Sequence, residues 1–312
     1  MRIVFMGTPE FAVASLEALI AAGQEVVGVV TAPDRPAGRG RKLKASAVKD
    51  AGLKHNIPVL QPQKLKAPEF LEALEALNAD LFVVVAFRML PEVVWSMPRF
   101  GTFNLHGSLL PEYRGAAPIH WAVINGETQT GVTTFFIDEK IDTGAIIANK
   151  SMPIAPDETT GEVHDRMMEL GASLVAETVA AIESGTVQAK PQPKEKTFKP
   201  APKLHAENTR IDWSLPGAYI YNKVRGLNPF PAAWTEFVLE DEVISAKIYK
   251  VAYEPAEHNY TTGSVVCDKK SIRIAIEDGW INLLEIKLSG KRKMAAADLL
   301  NGFSFPLDSK VQ

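Results

Sequence analysis

At 312 residues the chain is long enough for two domains, and 46% hydrophobic with 23% charged residues is an ordinary globular mix. A formal net charge of −3 does not announce a nucleic-acid partner, so charge has to be read locally. One cysteine, Cys267, excludes an internal disulfide and a cysteine-rich zinc site and fits a reducing compartment. It stands in Ser264-Val265-Val266-Cys267, which reads as buried strand and not as a nucleophile's setting. No apolar run reaches membrane-spanning length. Arg2-Ile3-Val4-Phe5 starts a strand at once and leaves no room for a signal or transit peptide, so a cytoplasmic setting is expected.

Residues 2–5 read as the first strand. Gly7-Thr8-Pro9 is a tight turn, with Pro9 well placed to open a helix over 11–21 that Gly23 ends. Residues 25–31 carry Val26-Val27-Gly28-Val29-Val30, apolar throughout as in a parallel sheet covered on both faces. This βαβ opening lacks Gly-x-Gly-x-x-Gly, which argues against a dinucleotide cradle. Residues 33–44 set Arg35, Arg39, Arg41, Lys42 and Lys44 against a lone Asp34, with glycines and prolines between. They read as a long structureless loop at a strand's carboxyl end, and such loops in compact domains are usually functional. A cationic loop there suits a polyanionic substrate; a solvated surface is the plainer alternative. A helix (45–55), a short strand (58–60) and a helix (68–77) follow. Residues 81–86 form a central strand leading into Phe87-Arg88-Met89-Leu90-Pro91.

The most informative stretch is Thr102-Phe103-Asn104-Leu105-His106-Gly107-Ser108-Leu109-Leu110-Pro111, followed by Arg114-Gly115-Ala116-Ala117-Pro118. It begins as a strand in which Asn104 and His106 share one face. Open α/β sheets hold their ligands at the carboxyl ends of strands. An amide N–H there can donate to an oxyanion, and an imidazole can exchange a proton near neutral pH. The group to orient that imidazole is Asp142, in Ile141-Asp142-Thr143-Gly144. An Asn-x-His alone more often marks a loop cap and a satisfied core histidine; the flanking motifs reverse those odds. His106 has no partner ligands at metal-site spacing.

Beyond it, a helix is expected over 118–125 and strands over 130–137 and 144–154. Thr159 or Thr160 can cap a long helix reaching Ser184, which Gly185 ends. Residues 190–203 are rich in proline and lysine and read as a semi-rigid linker. Strands are expected over 234–239, 243–253, 263–267, 271–276 and 280–288, the spacing of a small barrel. Gly290-Lys291-Arg292-Lys293-Met294 adds a basic cluster near its end, and there is no internal repeat.

The central motif, Arg114-Gly115-Ala116-Ala117-Pro118 and Asp142-Thr143-Gly144 together resemble the folate-dependent formyltransferases. The likeness runs from Gly7-Thr8-Pro9-Glu10-Phe11 to Gly226-Leu227-Asn228-Pro229-Phe230-Pro231. It is strongest to those members that formylate methionyl initiator tRNA. The resemblance implies a doubly wound, mostly parallel Rossmann-like catalytic domain over 1–189, a basic linker over 190–205, and an OB-like β-barrel over 206–312 that binds tRNA. It implies 10-formyltetrahydrofolate as donor, initiator methionyl-tRNA as acceptor, no metal, and a monomer. Asn104, His106 and Asp142 would be catalytic. Ser108, Leu109, Leu110, Pro111, Phe87 and Arg88 would line the folate site. Arg39, Arg41, Lys42 and Lys44 would grip the acceptor arm, with Lys196 and Lys199 on the RNA backbone. Residues 87–91 depart from the common pattern, which has an aromatic, a glycine and an extra residue before Leu-Pro. A formyltransferase acting on a nucleotide-sugar amine, or a non-catalytic RNA-binding protein, remains as an alternative.

Overall fold

The computed structural model of the chain describes all residues except 38–41, 194–197 and 241. In chain order the first half holds β1 (Arg2–Gly7), α1 (Glu10–Ala21), β2 (Glu25–Val30), β3 (Arg35–Ala37), β4 (Lys42–Lys44), α2 (Ala47–Lys54), β5 (Val59–Leu60), α3 (Pro68–Glu75), β6 (Leu81–Val85), α4 (Glu92–Trp95), β7 (Thr102–His106), β8 (Arg114–Gly115), α5 (Pro118–Ile124), β9 (Gln129–Phe136), β10 (Ile146–Pro153) and α6 (Thr160–Glu183). The second half holds β11 (Pro200–Ala201), α7 (Ala206–Thr209), α8 (Gly217–Gly226), β12 (Ala233–Val238), β13 (Val243–Pro255), β14 (Val265–Cys267), β15 (Ile272–Ile276), β16 (Gly279–Leu288), β17 (Met294–Ala295), α9 (Ala296–Leu300) and β18 (Lys310–Val311).

The chain divides into two compact units. One comprises Met1–Pro118, Gln129–Pro153 and His164–Pro200; the other comprises Ile119–Thr128, Ile154–Val163 and Ala201–Gln312. Neither is continuous in sequence, unlike the single break expected after residue 189. The reason lies in the second unit's core. Ile124 is buried there, Trp121 packs against it, and Trp121 Nε1 donates to the Pro202 carbonyl at 2.8 Å. The Arg225 guanidinium donates to the Glu158 carbonyl at 2.8 Å, and Thr160 Oγ1 to that of Gly226 at 2.7 Å. Gly226 has to be glycine, because a Cβ would lie 2.8 Å from the Ile124 backbone nitrogen.

In the first unit a seven-stranded sheet runs in the order β10-β9-β7-β6-β1-β2-β5. From β7 to β5 all neighbours are parallel; β9 is antiparallel to β7, and β10 to β9. The central strand β6 is buried along its whole length, which its Leu-Phe-Val-Val-Val sequence permits. The order reverses between β1 and β6, and the carboxyl ends of β6 and β7 lie on the side where such sheets bind ligands. The basic stretch is not structureless. β3 and β4 pair as an antiparallel hairpin, Arg35 opposite Lys44 and Pro36 opposite Leu43. With Leu43 71% exposed, the hairpin has no apolar stripe to reveal it in sequence.

The second unit is a β-barrel of order β14-β15-β16-β13-β12-β18, with β17 on β16. Val265 N–H donates to the Ser309 carbonyl and Val311 N–H to that of Gly263, so β18 closes back on the start of β14. β13 is long enough to serve both ends because its register shifts at Ile248–Lys250 and Lys250–Val251, which bends it around the barrel. Phe237, Ile248, Ile274, Ile281 and Ile286 fill the interior. Cys267 sits on this barrel as expected: burial, then Asp268, pushes its thiol up to about 11. At the start of α6, Thr159 and not Thr160 makes the cap, its N–H bonded to Glu162 Oε2 at 2.8 Å and its Oγ1 accepting from Glu162 N–H at 3.4 Å. Among the described residues no helix is long and apolar enough to cross a membrane. Phe237→Ala should cost about 3–5 kcal/mol in denaturant unfolding, because the ring is fully buried; a loss below about 1 kcal/mol would mean the barrel core has been misassigned.

Candidate active site

β7 lies between β6 and β9, with Asn104 opposite Val84 and Phe135 and His106 opposite Thr133. Asn104 and His106 share a face, as the alternation predicts. The Asn104 side chain is half-buried and makes no hydrogen bond among the described residues, so both its amide hydrogens are available to a ligand. His106 is 6% exposed. Its Nε2 lies 2.9 Å from the Tyr113 carbonyl oxygen. A carbonyl only accepts, so Nε2 carries the proton and Nδ1 is the nitrogen free to take one up. Nδ1 faces Asp142 Oδ2 at 3.8 Å, an ion-pair distance but too long for a hydrogen bond.

The loop after β7 is pinned from both sides. Thr133 Oγ1 donates to the Ser108 carbonyl at 2.7 Å and accepts from Leu110 N–H at 3.1 Å. Ser108 Oγ donates to the Glu112 carbonyl at 2.7 Å. The chain then turns back, with Tyr113 at φ 58°, so that its carbonyl meets the imidazole it left seven residues earlier.

Asp142 reaches the site by a less direct route. Ile137 N–H donates to the Thr102 carbonyl, so β9 ends beside the start of β7. The 138–144 segment must travel back along β7 to bring Asp142 to His106, before Ala145 rejoins the sheet by accepting from Phe136 N–H at 3.0 Å. Asp142 adopts φ 54°, and its Oδ2 accepts from Gly115 N–H at 2.9 Å. Thr143 Oγ1 donates to Asp138 Oδ1 at 2.8 Å. Gly144 crosses so close to β9 that a Cβ would fall 1.6 Å from the Phe136 carbonyl oxygen.

The remaining predicted residues fall into separate groups. Ser108 and Leu110 are buried, whereas Leu109 and Pro111 are half-buried. Phe87 packs against the core of the first unit. Arg88 extends over the Phe87 ring at 5.6 Å and donates to the Gln63 carbonyl at 3.0 Å and to that of Pro62. Next to those carbonyls lies a cavity of about 410 Å³ lined by Leu60, Gln61, Pro62, Gln63, Lys64 and Phe70. Lys44 is exposed on the hairpin, where Lys42 also lies; Arg39, Arg41 and Lys196 fall outside the described residues. Lys199 is exposed, its N–H bonded to Glu112 Oε2 at 2.9 Å and its carbonyl accepting from Tyr113 N–H at 2.7 Å. Thr133, Tyr113 and Gln192 shape the site and escaped sequence reasoning. Two act through hydroxyl and backbone groups that no motif marks, and Gln192 lies in what composition reads as linker. Among the described residues, no group of three His, Cys, Asp or Glu is placed to hold a metal.

An amide donor and a proton-carrying imidazole with an adjacent carboxylate are groups that acyl transfer can use. Residues 1–179 match the formyl transferase family, and residues 203–304 its C-terminal domain. The chain belongs to the formyl transferase family. It is 54% identical to the methionyl-tRNA formyltransferase of Flavobacterium johnsoniae, over 100% of this chain and 99% of that one. It is equally 54% identical to the methionyl-tRNA formyltransferase of Parabacteroides distasonis, over 97% and 96%. Its fold is shared by an N-formyltransferase of Helicobacter canadensis solved with folinic acid and dTDP-3-aminofucose, with a TM-score of 0.63, 19% identity, and coverage of 94% and 99%.

Gly144→Ala should destabilise the protein by at least about 2 kcal/mol, because the methyl meets backbone and not a movable side chain. Equal thermal unfolding of the variant and the parent would show that the 142–144 turn has room to move.

Proposed function

We propose that this protein transfers the formyl group of 10-formyltetrahydrofolate to the α-amine of methionyl initiator tRNA. The observation that carries the reading is 54% identity, along both units, to relatives bearing that activity in their names. The nucleotide-sugar alternative draws on a fold shared at only 19% identity. A solely RNA-binding role leaves unexplained why Asn104, His106 and Asp142 come together on the first unit.

The residues present fit a folate. The free Asn104 amide lies at the carboxyl end of the sheet, and half-buried Phe87, Leu109 and Pro111 offer apolar contact beside exposed backbone. Those residues would hold it, and when bound it supplies the activated formyl group. Asn104 Nδ2 donates to the acyl oxygen as negative charge builds there. The attacking amine must be unprotonated and must shed a proton, while the departing nitrogen must gain one. His106 manages this at Nδ1, since Nε2–H stays bonded to Tyr113. Asp142, fixed by Gly115 N–H, sets its carboxylate 3.8 Å from Nδ1. No residue has to form a covalent bond to the formyl group. The cationic stretch 35–44, with Arg39, Arg41, Lys42 and Lys44, together with Lys196 and Lys199, holds the nucleic acid. A cytoplasmic, monomeric enzyme of translation initiation is the setting this implies.

The test is formylation of charged initiator tRNA compared with charged elongator methionyl-tRNA. Asn104→Ala, His106→Ala and Asp142→Asn should each lower kcat by about 10²–10³, equivalent to about 3–4 kcal/mol, with folate binding far less changed. A near-normal kcat in His106→Ala would remove this mechanism. Arg39→Ala should lower kcat/KM for charged initiator tRNA. Lys196→Ala should cost less and reduce the salt slope by about one ion, as for a single phosphate contact. Were Arg39→Ala indistinguishable from the parent at two salt concentrations, the hairpin would be a solvated surface only.

A further inference from the structure

Gln192 is a buried polar side chain in the proline- and lysine-rich stretch, and all its hydrogen bonds end at the candidate site. Its Nε2 donates to the main-chain carbonyls of Asp142, at 3.0 Å, and Gly144, at 2.8 Å. Its Oε1 accepts from Arg114 Nε at 3.1 Å and Nη2 at 2.6 Å. The orientation is forced, because a guanidinium only donates and a carbonyl only accepts. Both amide hydrogens are used, and the residue is 7% exposed. A glutamate would put oxygen against two carbonyl oxygens, and an alanine would leave those carbonyls and Arg114 without partners.

The flanking residues are fastened to the same place. Lys190 exchanges two backbone bonds of 2.8 Å with Ile146, just past the Asp-Thr-Gly turn. Arg114 lies over the Phe198 ring at 5.1 Å. Lys199 binds the backbone of Tyr113, whose carbonyl holds His106. One stretch of chain therefore touches both supports of the His106–Asp142 pair. The turn it grips needs gripping: it returns along β7 without ladder bonds, and Asp142 sits in the left-handed region, which aspartate tolerates better than most residues but which is not its preferred conformation.

We propose that Gln192, oriented by Arg114, is a positioning residue that clamps residues 142–144 and so sets the Asp142 carboxylate against His106. The kinetic part of its test rests on the formyl-transfer reading above. Gln192→Ala and Gln192→Glu are made in the full chain, the second keeping an acceptor for Arg114 while losing both donors. Each should lower kcat by about ten- to a hundred-fold, the scale of a misplaced catalytic group, with KM for the folate little changed and the pH profile of kcat displaced. A second readout needs no substrate. The Gly115 amide is bonded to Asp142 Oδ2, so its hydrogen exchange should quicken by about tenfold or more in both variants while amides of the barrel keep their protection. Parental kcat and pH profile in Gln192→Glu would overturn the proposal, as would unchanged Gly115 exchange accompanying any loss of rate. If the parent protein itself formylates no charged initiator tRNA, the functional reading fails, and Gly115 exchange judges Gln192 alone.

Discussion

The hydrogen bond from His106 Nε2 to the Tyr113 carbonyl is the constraint on which the candidate site most depends, because it leaves Nδ1 as the imidazole nitrogen not bonded to the backbone. Much of the surrounding structure exists to put that carbonyl in place. The loop has to leave β7, reverse, and come back within seven residues. Thr133 secures its early part, Ser108 ties its start to its end, and Lys199 holds Tyr113 from behind. A loop free to breathe would let the ring turn over and exchange its two nitrogens. Fixing one of them with a backbone acceptor makes the proton's location a property of the fold.

The strand order explains why the carboxylate is harder to hold than the imidazole. His106 belongs to a strand bonded on both sides, and its direction is that of the whole parallel layer. Asp142 follows an antiparallel strand and arrives on a segment that has left the sheet. What fixes it comes from scattered places: an amide at Gly115, a side chain at Asp138, and an amide side chain fifty residues on at Gln192. The two units differ in the same sense. The parallel sheet is built from consecutive βα pieces, whereas the second unit takes Ile124 into its core and bonds Glu158 and Thr160 to α8.

Alternation and composition made most of this legible. The Asn104–His106 face and most of the barrel strands follow from alternation, the β1–β2 opening from its unbroken apolar run, and Asp142 from the Asp-Thr-Gly motif that carries it. Elements with no period did not show. The β3–β4 hairpin has an exposed leucine and charged partners; β17 and β18 are too short to alternate; and α8 mixes glycine, tyrosine, lysine and arginine without a clean apolar stripe. The buried role of Gln192 is hidden for a related reason. Proline and lysine signal a solvated spacer, but a single glutamine among them, able to donate and accept at once, suffices to bury part of it. Backbone acceptors such as the Tyr113 carbonyl leave no trace in residue identity at all.

The high-lying Cys267 thiol also makes the chain convenient to label. Burial and the neighbouring Asp268 raise the thiol to about 11, which keeps it mostly protonated at neutral pH, so it competes poorly for maleimides and other electrophiles that attack thiolates. A cysteine introduced on an exposed surface, such as the hairpin or the barrel rim, would be modified far sooner. The protein thus carries its native cysteine as a nearly silent residue, and fluorophores or spin labels can be placed at chosen positions without first removing it.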